Sequence, residues 1–248
     1  MHYTSANIYI CMNNLTKILL WVKNFLFPSW CALCETALTD TEEIRYGLCD
    51  KCRAQAAIVQ WQKCSLCGKP LISEIDICLS CRNKTAKTCD RFWVIFSYTG
   101  IYRKLLHAYK FGKNLALACF FAQKVMEVIA ENPALRDAII VPVPPRPGKI
   151  KETGWDQVDY LVRQIMKLSM ERIVCRCLKR RRSKVQKKLD RKERLENMKG
   201  RIYLQKTPPK TVLLIDDVIT TGSTMEVCSE VLKEGGAEKV YGLCLFYD

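Results

Sequence analysis

The chain contains 248 residues, and 49% of them are hydrophobic, which is enough apolar material for the core of one large or two small domains. It carries 40 Lys and Arg residues against 25 Asp and Glu residues, so its net charge is +15 at pH 7. The composition excludes a chain too polar to form a core, and the charge points to an anionic partner.

The first 30 residues predict an amphipathic helix. Their apolar residues recur at helical spacing and are Leu15, Ile18, Leu19, Val22, Phe25 and Leu26. Lys17 and Lys23 interrupt this apolar stretch, so it is too short to span a membrane, and no small-residue cleavage site follows it. We expect residues 1–30 to form a docking helix that packs on the rest of a cytoplasmic protein.

Eight of the fifteen cysteines form four C-x2-C pairs. The pairs are Cys31/Cys34, Cys49/Cys52, Cys64/Cys67 and Cys78/Cys81, separated by stretches of 14, 11 and 10 residues. Two such pairs supply the four thiolates of a tetrahedral Zn²⁺ site. Residues 31–88 are therefore predicted to form a double zinc ribbon that holds two structural zinc ions.

The spacing alone leaves alternatives open for these cysteines. The pairs combine either in sequence, first with second and third with fourth, or in an interleaved cross-brace. Disulfides are disfavoured because no secretion signal precedes the pairs, and an iron–sulfur cluster is a minor alternative. The seven remaining cysteines are scattered, and we interpret most of them as small buried hydrophobic residues.

Residues 89–248 alternate between strand and helix patterns. Predicted strands cover 91–98, 138–143, 201–204, 211–215 and 240–247, and predicted helices cover 102–109, 115–131, 155–170 and 225–234. Strands that alternate with helices indicate an α/β fold with a parallel sheet flanked by helices. Ligands of such a sheet bind at the carboxyl ends of its strands.

Two loops of this region concentrate positive charge. The proline-rich segment after the strand at 138–143 carries Arg146, Lys149 and Lys151, whose cations could face a diphosphate. Residues 176–206, the basic window, contain 14 Lys or Arg against three acidic residues, a local excess of +11. Part of this charge fits a solvated loop, but the excess indicates a polyanion, either nucleic acid or a pyrophosphorylated ligand.

A single run near the C-terminus combines groups that suit a phosphorylated sugar. Asp216 and Asp217 follow an apolar strand and could accept hydrogen bonds from vicinal sugar hydroxyls or orient a hydrated Mg²⁺ ion. The next turn, which leads into a helix, is Thr220, Thr221, Gly222, Ser223 and Thr224. Its N–H groups and the helix N-terminus favour a phosphate. A strand end with an ordinary helix cap explains any one of these features but not the entire run.

This run resembles the signature of the type I phosphoribosyltransferases, which use 5-phosphoribosyl-1-pyrophosphate (PRPP) with Mg²⁺. The resemblance implies a type I phosphoribosyltransferase fold over residues 89–248. It also implies that Asp216 and Asp217 hold the ribose 2′ and 3′ hydroxyls and that residues 220–224 wrap the 5′-phosphate.

Taken with the cysteine pairs and the proline-rich loop, residues 27–248 resemble the ComF family. The family's flexible loop is matched in the basic window by Arg182, Gln186, Arg194 and Asn197. The resemblance implies a role in natural competence, in which the protein handles single-stranded DNA beside a helicase or another DNA-processing protein.

One segment departs from the family pattern. Residues 153–157 read Thr-Gly-Trp-Asp-Gln where the family usually has Arg-Gly-Phe-Asn-Gln. The missing arginine leaves Lys151 or Arg146 as the expected pyrophosphate contact. No general base or acceptor pocket is evident, so three functions remain: a transferase with an unknown acceptor, a non-catalytic PRPP sensor, and a DNA-binding adaptor.

Overall fold

A computed structural model describes residues 22, 28–56, 64–65, 71, 76–82, 89–169, 171, 173–181 and 200–248. Apart from Val22 and residues 28–30, the predicted docking helix lies outside the described residues, as do Cys67 and the four flexible-loop residues Arg182, Gln186, Arg194 and Asn197. Within the described ranges, no helix is both long enough and apolar enough to cross a membrane.

The strands and helices alternate along the C-terminal two thirds of the chain. The strands are β1 Arg91–Ser97, β2 Ile139–Pro142, β3 Leu178–Arg180, β4 Ile202–Leu204, β5 Thr211–Ile219 and β6 Lys239–Tyr247. The helices are α1 Thr41–Tyr46, α2 Asp50–Gln55, α3 Leu79–Arg82, α4 Gly100–Lys110, α5 Leu117–Glu131, α6 Lys149–Thr153, α7 Gln157–Leu168 and α8 Ser223–Glu234, with a short 3-10 turn at Pro133–Leu135.

Four strands form one parallel sheet in the order β1-β6-β5-β2, which confirms the predicted fold. The central strand β5 is apolar on both faces, as expected for a sheet covered by helices on each side. Leu213 and Ile215 face a core cluster shared with α4, α5 and α7, whereas Val212 and Leu214 face a second cluster shared with α8. Successive residues point to opposite faces, so one strand connects both layers.

Helix α6 was not predicted, and two strands of this region also differ from the sequence prediction. Strand β5 does not end at Ile215 but continues to Ile219, because β6 keeps pairing with it as far as Tyr247. Near the two ends of the basic window, β3 and β4 form a short antiparallel hairpin, and its first strand was not predicted. The hairpin pairs Leu178 with Leu204 and places residues 181 and 201 side by side.

The first cysteine-rich unit packs directly on the α/β core. Tyr46, Leu48 and Cys52 belong to the same hydrophobic cluster as Phe120 and Phe121 of α5. A later cluster of Cys64, Leu71, Cys78 and Cys81 is separate from it. That later unit touches the sheet through Ser65, whose carbonyl accepts a hydrogen bond from the Phe92 N–H at 2.9 Å on edge strand β1.

Candidate functional site

A cleft of about 320 Å³ lies at the carboxyl edge of the sheet. It forms at a step, because β2 ends at Pro142 opposite Ile215 while β5 continues beside β6. The residues that line it include Lys110, Arg146, Lys149, Asp156, Arg180, Asp216 and Thr224. Ligand sites of open α/β sheets occur at this edge, so the structure brings residues from four separate sequence segments to the expected position.

Asp216 lines the cleft, and Asp217 follows it on the opposite face of β5, beside Lys110. Asp216 Oδ1 accepts a hydrogen bond from the Asp217 N–H at 2.8 Å, and Asp217 Oδ1 accepts one from the Val218 N–H at 2.9 Å. Burial, reinforced by the negative charge of Asp217, raises the pKa of the Asp216 carboxyl well above its ordinary value. A cation or hydroxyl donors in the cleft would favour the charged form of this carboxylate.

Lys110 supplies a cation that the sequence analysis did not assign. It is the last residue of α4, and its Nζ lies 3.5 Å from Asp217 Oδ2. That oxygen is buried, and among the described residues it has no hydrogen-bond donor. Lys110 therefore offsets part of the charge of a buried carboxylate oxygen that has unused hydrogen-bonding capacity.

The turn from Thr220 to Thr224 has the geometry of an anion cradle. Gly222 adopts a φ of +80°, in the left-handed region that favours glycine, and precedes α8. The N-cap residue Gly222 has no side chain, the Ser223 N–H donates to Thr221 Oγ1 at 3.5 Å, and the Thr221 and Ser223 hydroxyl oxygens lie 3.0 Å apart. A helix N-terminus with two adjacent hydroxyls suits a phosphate.

The proline-rich loop places two of its three predicted cations in the cleft. Arg146 donates from Nη1 to Glu152 Oε1 at 2.9 Å, so its guanidinium already has a carboxylate partner. The Lys149 Nζ lies 3.5 Å from Asp156 Oδ1. Lys151 is exposed and does not line this cleft. Arg146 and Lys149 are thus better placed than Lys151 to meet a diphosphate.

Arg180, at the base of the basic window, also reaches the cleft. Burial lowers the pKa of its guanidinium, although the nearby Asp216 carboxylate acts in the opposite direction. Among the described residues Arg180 has no ion-pair partner within 4.0 Å. A half-buried cation without a carboxylate partner is a natural contact for an anionic ligand.

The cysteines meet in two groups. The Sγ atoms of Cys31, Cys34, Cys49 and Cys52 all lie within 4.8 Å of one another, as do those of Cys64, Cys78 and Cys81. This arrangement follows sequential pairing and not the interleaved cross-brace. Hydrogen bonding, chiefly with Thr36, lowers the pKa of the Cys34 thiol to about 6. Close thiols with one readily ionised member fit a tetrahedral Zn²⁺ shell.

Known protein families match both the cysteine-rich region and the α/β region of the chain. Residues 22–82 match the double zinc ribbon domain, and residues 168–248 match the phosphoribosyl transferase domain. In these two matched domains the chain resembles the ComF family. The double zinc ribbon and the type I phosphoribosyltransferase fold predicted from the sequence are both confirmed.

Relatives that this chain is similar to carry competence and DNA-related names. Competence protein F of Haemophilus influenzae is 28% identical, with 78% of this chain and 87% of that protein covered. Competence protein ComFC of Streptococcus pneumoniae is 26% identical, with 78% and 84% covered. DNA utilization protein YhgH of Escherichia coli K12 is 25% identical, with 80% and 96% covered.

Proposed function

We propose that this ComF-type protein binds PRPP together with Mg²⁺ in the cleft at the carboxyl edge of the sheet. The observation that carries the proposal is the convergence of the Asp216 carboxylate, the N-terminal turn of α8 and several cations on one cleft of about 320 Å³, with Asp217 beside it. Phosphates, a vicinal diol and a divalent cation are the groups that such a set of donors and acceptors recognises.

Each part of PRPP has a proposed contact. Asp216 and Asp217 accept hydrogen bonds from the ribose hydroxyls and hold the hydrated Mg²⁺, with Lys110 limiting the repulsion between the two acids. The turn at residues 220–224 binds the 5′-phosphate. Lys149 and Arg146 bind the pyrophosphate, and Arg146 exchanges its Glu152 partner for the ligand. Loop residues Arg182, Gln186, Arg194 and Asn197 close over the site and exclude water.

The biological setting that we propose is DNA uptake in the cytoplasm. Its support is the competence and DNA-utilization names of the relatives and the +11 excess in the basic window. Single-stranded DNA, delivered by a helicase or another DNA-processing protein, is the proposed polyanionic partner. Reduced thiols in two metal-ligand clusters suit the cytoplasmic compartment.

Titration calorimetry with PRPP tests the ligand assignment. The parent protein should bind PRPP in magnesium buffer and bind it more weakly when magnesium is left out. Changing Asp216→Asn and Asp217→Asn together should weaken binding, since each charge-assisted acceptor contributes about 1.5–3 kcal/mol.

A charge-matched control separates the site from overall charge. Glu131 and Asp137 are exposed and lie outside the cleft, so the pair Glu131→Gln and Asp137→Asn should leave the PRPP affinity unchanged. Equal PRPP affinity in the parent and in the Asp216/Asp217 double variant would overturn the ribose assignment. Assaying pyrophosphate release in the same samples shows whether the bound PRPP is also broken down.

A further inference from the structure

A second and larger cavity adjoins the cleft. Its volume is about 580 Å³, within the usual range of about 300–1,000 Å³ for ligand pockets. The two cavities share Val143, Pro144, Pro145, Asp156 and Arg180. The proline-rich loop is therefore a wall with a cavity on each side, and the second cavity extends under hairpin strand β3.

Aromatic and apolar side chains form one side of the second cavity. Trp155 and Tyr160 both line it and meet edge to face, with ring centroids 5.9 Å apart at 78°. Trp155 also meets the buried Tyr109 edge to face, with ring centroids 5.1 Å apart at 89°. Pro145 and Leu178 add further apolar surface. Rings fixed in this way offer a preformed face for stacking at low entropic cost.

Arginine and lysine side chains form the other side of the second cavity. Arg176 donates to Asp159 Oδ1 from Nε at 2.9 Å and from Nη2 at 2.6 Å, and Arg163 Nε donates to Asp159 Oδ2 at 2.8 Å. Two arginines thus share one carboxylate. With Lys179 and Arg180, four cations line the cavity against the two carboxylates of Asp156 and Asp159, which leaves it positively charged.

Arg163 marks the open rim of this cavity. Its side chain is 67% exposed although it is held by Asp159 through Nε, so its terminal nitrogens face solvent. Arg180 lies at the other end, where the second cavity meets the cleft. Both arginines are therefore placed for phosphate groups about one cavity length apart, with the aromatic wall between them.

We propose that the second cavity binds a nucleotide unit of single-stranded DNA, with the base stacked against Tyr160 and Trp155 and the flanking phosphates at Arg163 and Arg180. The inference rests on the DNA part of the proposed function and adds to it a site and a mode of contact. Aromatic faces combined with cations that follow a backbone are the means by which proteins hold unpaired strands. A duplex keeps its bases stacked inside and presents no base to this wall.

Fluorescence anisotropy of a labelled oligothymidine of about 12 nucleotides, followed over a range of salt concentrations, tests the proposal. Tyr160→Leu keeps the bulk but removes the ring, and it should weaken binding about tenfold without changing the salt dependence. Tyr160→Phe keeps the ring and should bind as the parent does. Arg163→Gln should weaken binding and reduce the slope of log affinity against log salt by about 0.7, the value for one phosphate contact.

Matched controls exclude a general charge effect. Arg103 is an exposed arginine on α4 outside both cavities, so Arg103→Gln should leave the slope unchanged. Thymidine monophosphate and a duplex of the same length serve as competitors, and each should displace the labelled strand far less well than unlabelled oligothymidine. Calorimetry should show that Tyr160→Leu and Arg163→Gln bind PRPP as the parent does.

The outcomes separate the two proposals. Oligothymidine binding that is equal in Tyr160→Leu and the parent overturns the cavity assignment, and the DNA contact then lies elsewhere in the basic window. If thymidine monophosphate displaces the labelled strand as well as unlabelled oligothymidine does, the strand assignment is wrong and the cavity is a small-molecule site. No oligothymidine binding by the parent overturns both this inference and the DNA part of the proposed function. PRPP binding is judged separately by its own calorimetry.

Discussion

Two aspartates of this protein have carboxyl pKa values displaced in opposite directions. Burial beside Asp217 raises the pKa of Asp216. Burial also opposes ionisation of Asp159, but hydrogen bonds from Arg176 and Arg163 outweigh it and lower the pKa of that carboxyl. The native state of the ligand-free protein therefore holds the Asp216 proton more tightly than the unfolded chain does, and it holds the Asp159 proton less tightly.

Asp216→Asn should stabilise the ligand-free protein while weakening PRPP binding. A raised native pKa costs stability as pH rises from the unfolded value of about 4 through the native value. The asparagine avoids this loss and keeps an oxygen for the Asp217 N–H. Thermal unfolding should show a higher midpoint for the variant at pH 7, by about 2–4 °C per kcal/mol, and a difference that shrinks toward pH 4.

Asp159→Asn is the control of opposite sign. A lowered native pKa contributes stability above the unfolded value, and this contribution is lost as pH falls through the native pKa. The variant should melt below the parent at pH 7, with the gap closing in acid. If Asp216→Asn also melts below the parent at pH 7, ionisation of the buried Asp216 carboxyl does not destabilise the native state.

At the scale of residues, the sequence pattern predicts candidate site residues that lie close together along the chain. Asp216, Asp217 and the turn at 220–224 were predicted because one run of 13 residues contains them. Lys110 was not assigned a role, because its contact with Asp217 joins residues more than one hundred positions apart. Nothing in the local pattern at the end of α4 signals this contact, which only the packing of α4 on the sheet creates.

Among the elements, long apolar or periodic segments were predicted well and short ones were not. The strands of the sheet and helices α4, α5, α7 and α8 match the sequence patterns to within a few residues, except that β5 is longer. Strand β3 has three residues, two of them cationic, so its period gives no signal. Its existence depends on pairing with β4 on the far side of the basic window.

The link between the first ribbon and α5 makes Gly47 a sensitive position. Gly47 has a φ of +68°, and a Cβ there would meet Asn114 Oδ1 at 3.0 Å and Ala116 Cβ at 3.1 Å. Gly47→Ala should therefore suffer both backbone strain and a steric clash, and we expect a loss of about 1–3 kcal/mol in the free energy of unfolding. Denaturant titration measures the loss.

Gly100→Ala provides the comparison for that measurement. Gly100 also has a positive φ, of +52°, but a Cβ there would meet no atom within 4 Å. The loss in the free energy of unfolding of Gly100→Ala should therefore come from backbone strain alone. A loss at Gly47 no larger than the loss at Gly100 would mean that the ribbon does not press on the N-terminus of α5 as described.

For the whole molecule, the two metal centres have different relations to the core. Cys34 is exposed, so Cys34→Ser should act through the metal: it should release one zinc equivalent and lower the melting temperature of the α/β core, since the first ribbon shares its hydrophobic cluster. Cys64→Ser should also release one equivalent but lower the melting temperature of the core less, because the second hydrophobic cluster is separate and its described link to the sheet is the Ser65–Phe92 hydrogen bond. Metal analysis and calorimetry test both.

Three results would count against this scheme. A reduced, folded parent protein that contains fewer than two zinc ions contradicts the two-site assignment. Equal melting shifts in the two variants contradict the structural distinction between the ribbons. An unchanged core in Cys34→Ser would show that the first ribbon can loosen without affecting α5. The predicted boundary at residue 88 between ribbon and transferase domains stays a prediction in each case.

Proteins are synthesised from the N-terminus, so the first ribbon leaves the ribosome well before helix α5, the surface on which it packs. Its thiols must take up metal, or wait unpaired, while that surface does not yet exist. Because the ribbon and the helix then share one core, zinc supply during translation should set the yield of the entire folded protein. Cells starved of zinc should accumulate less of it at equal messenger level.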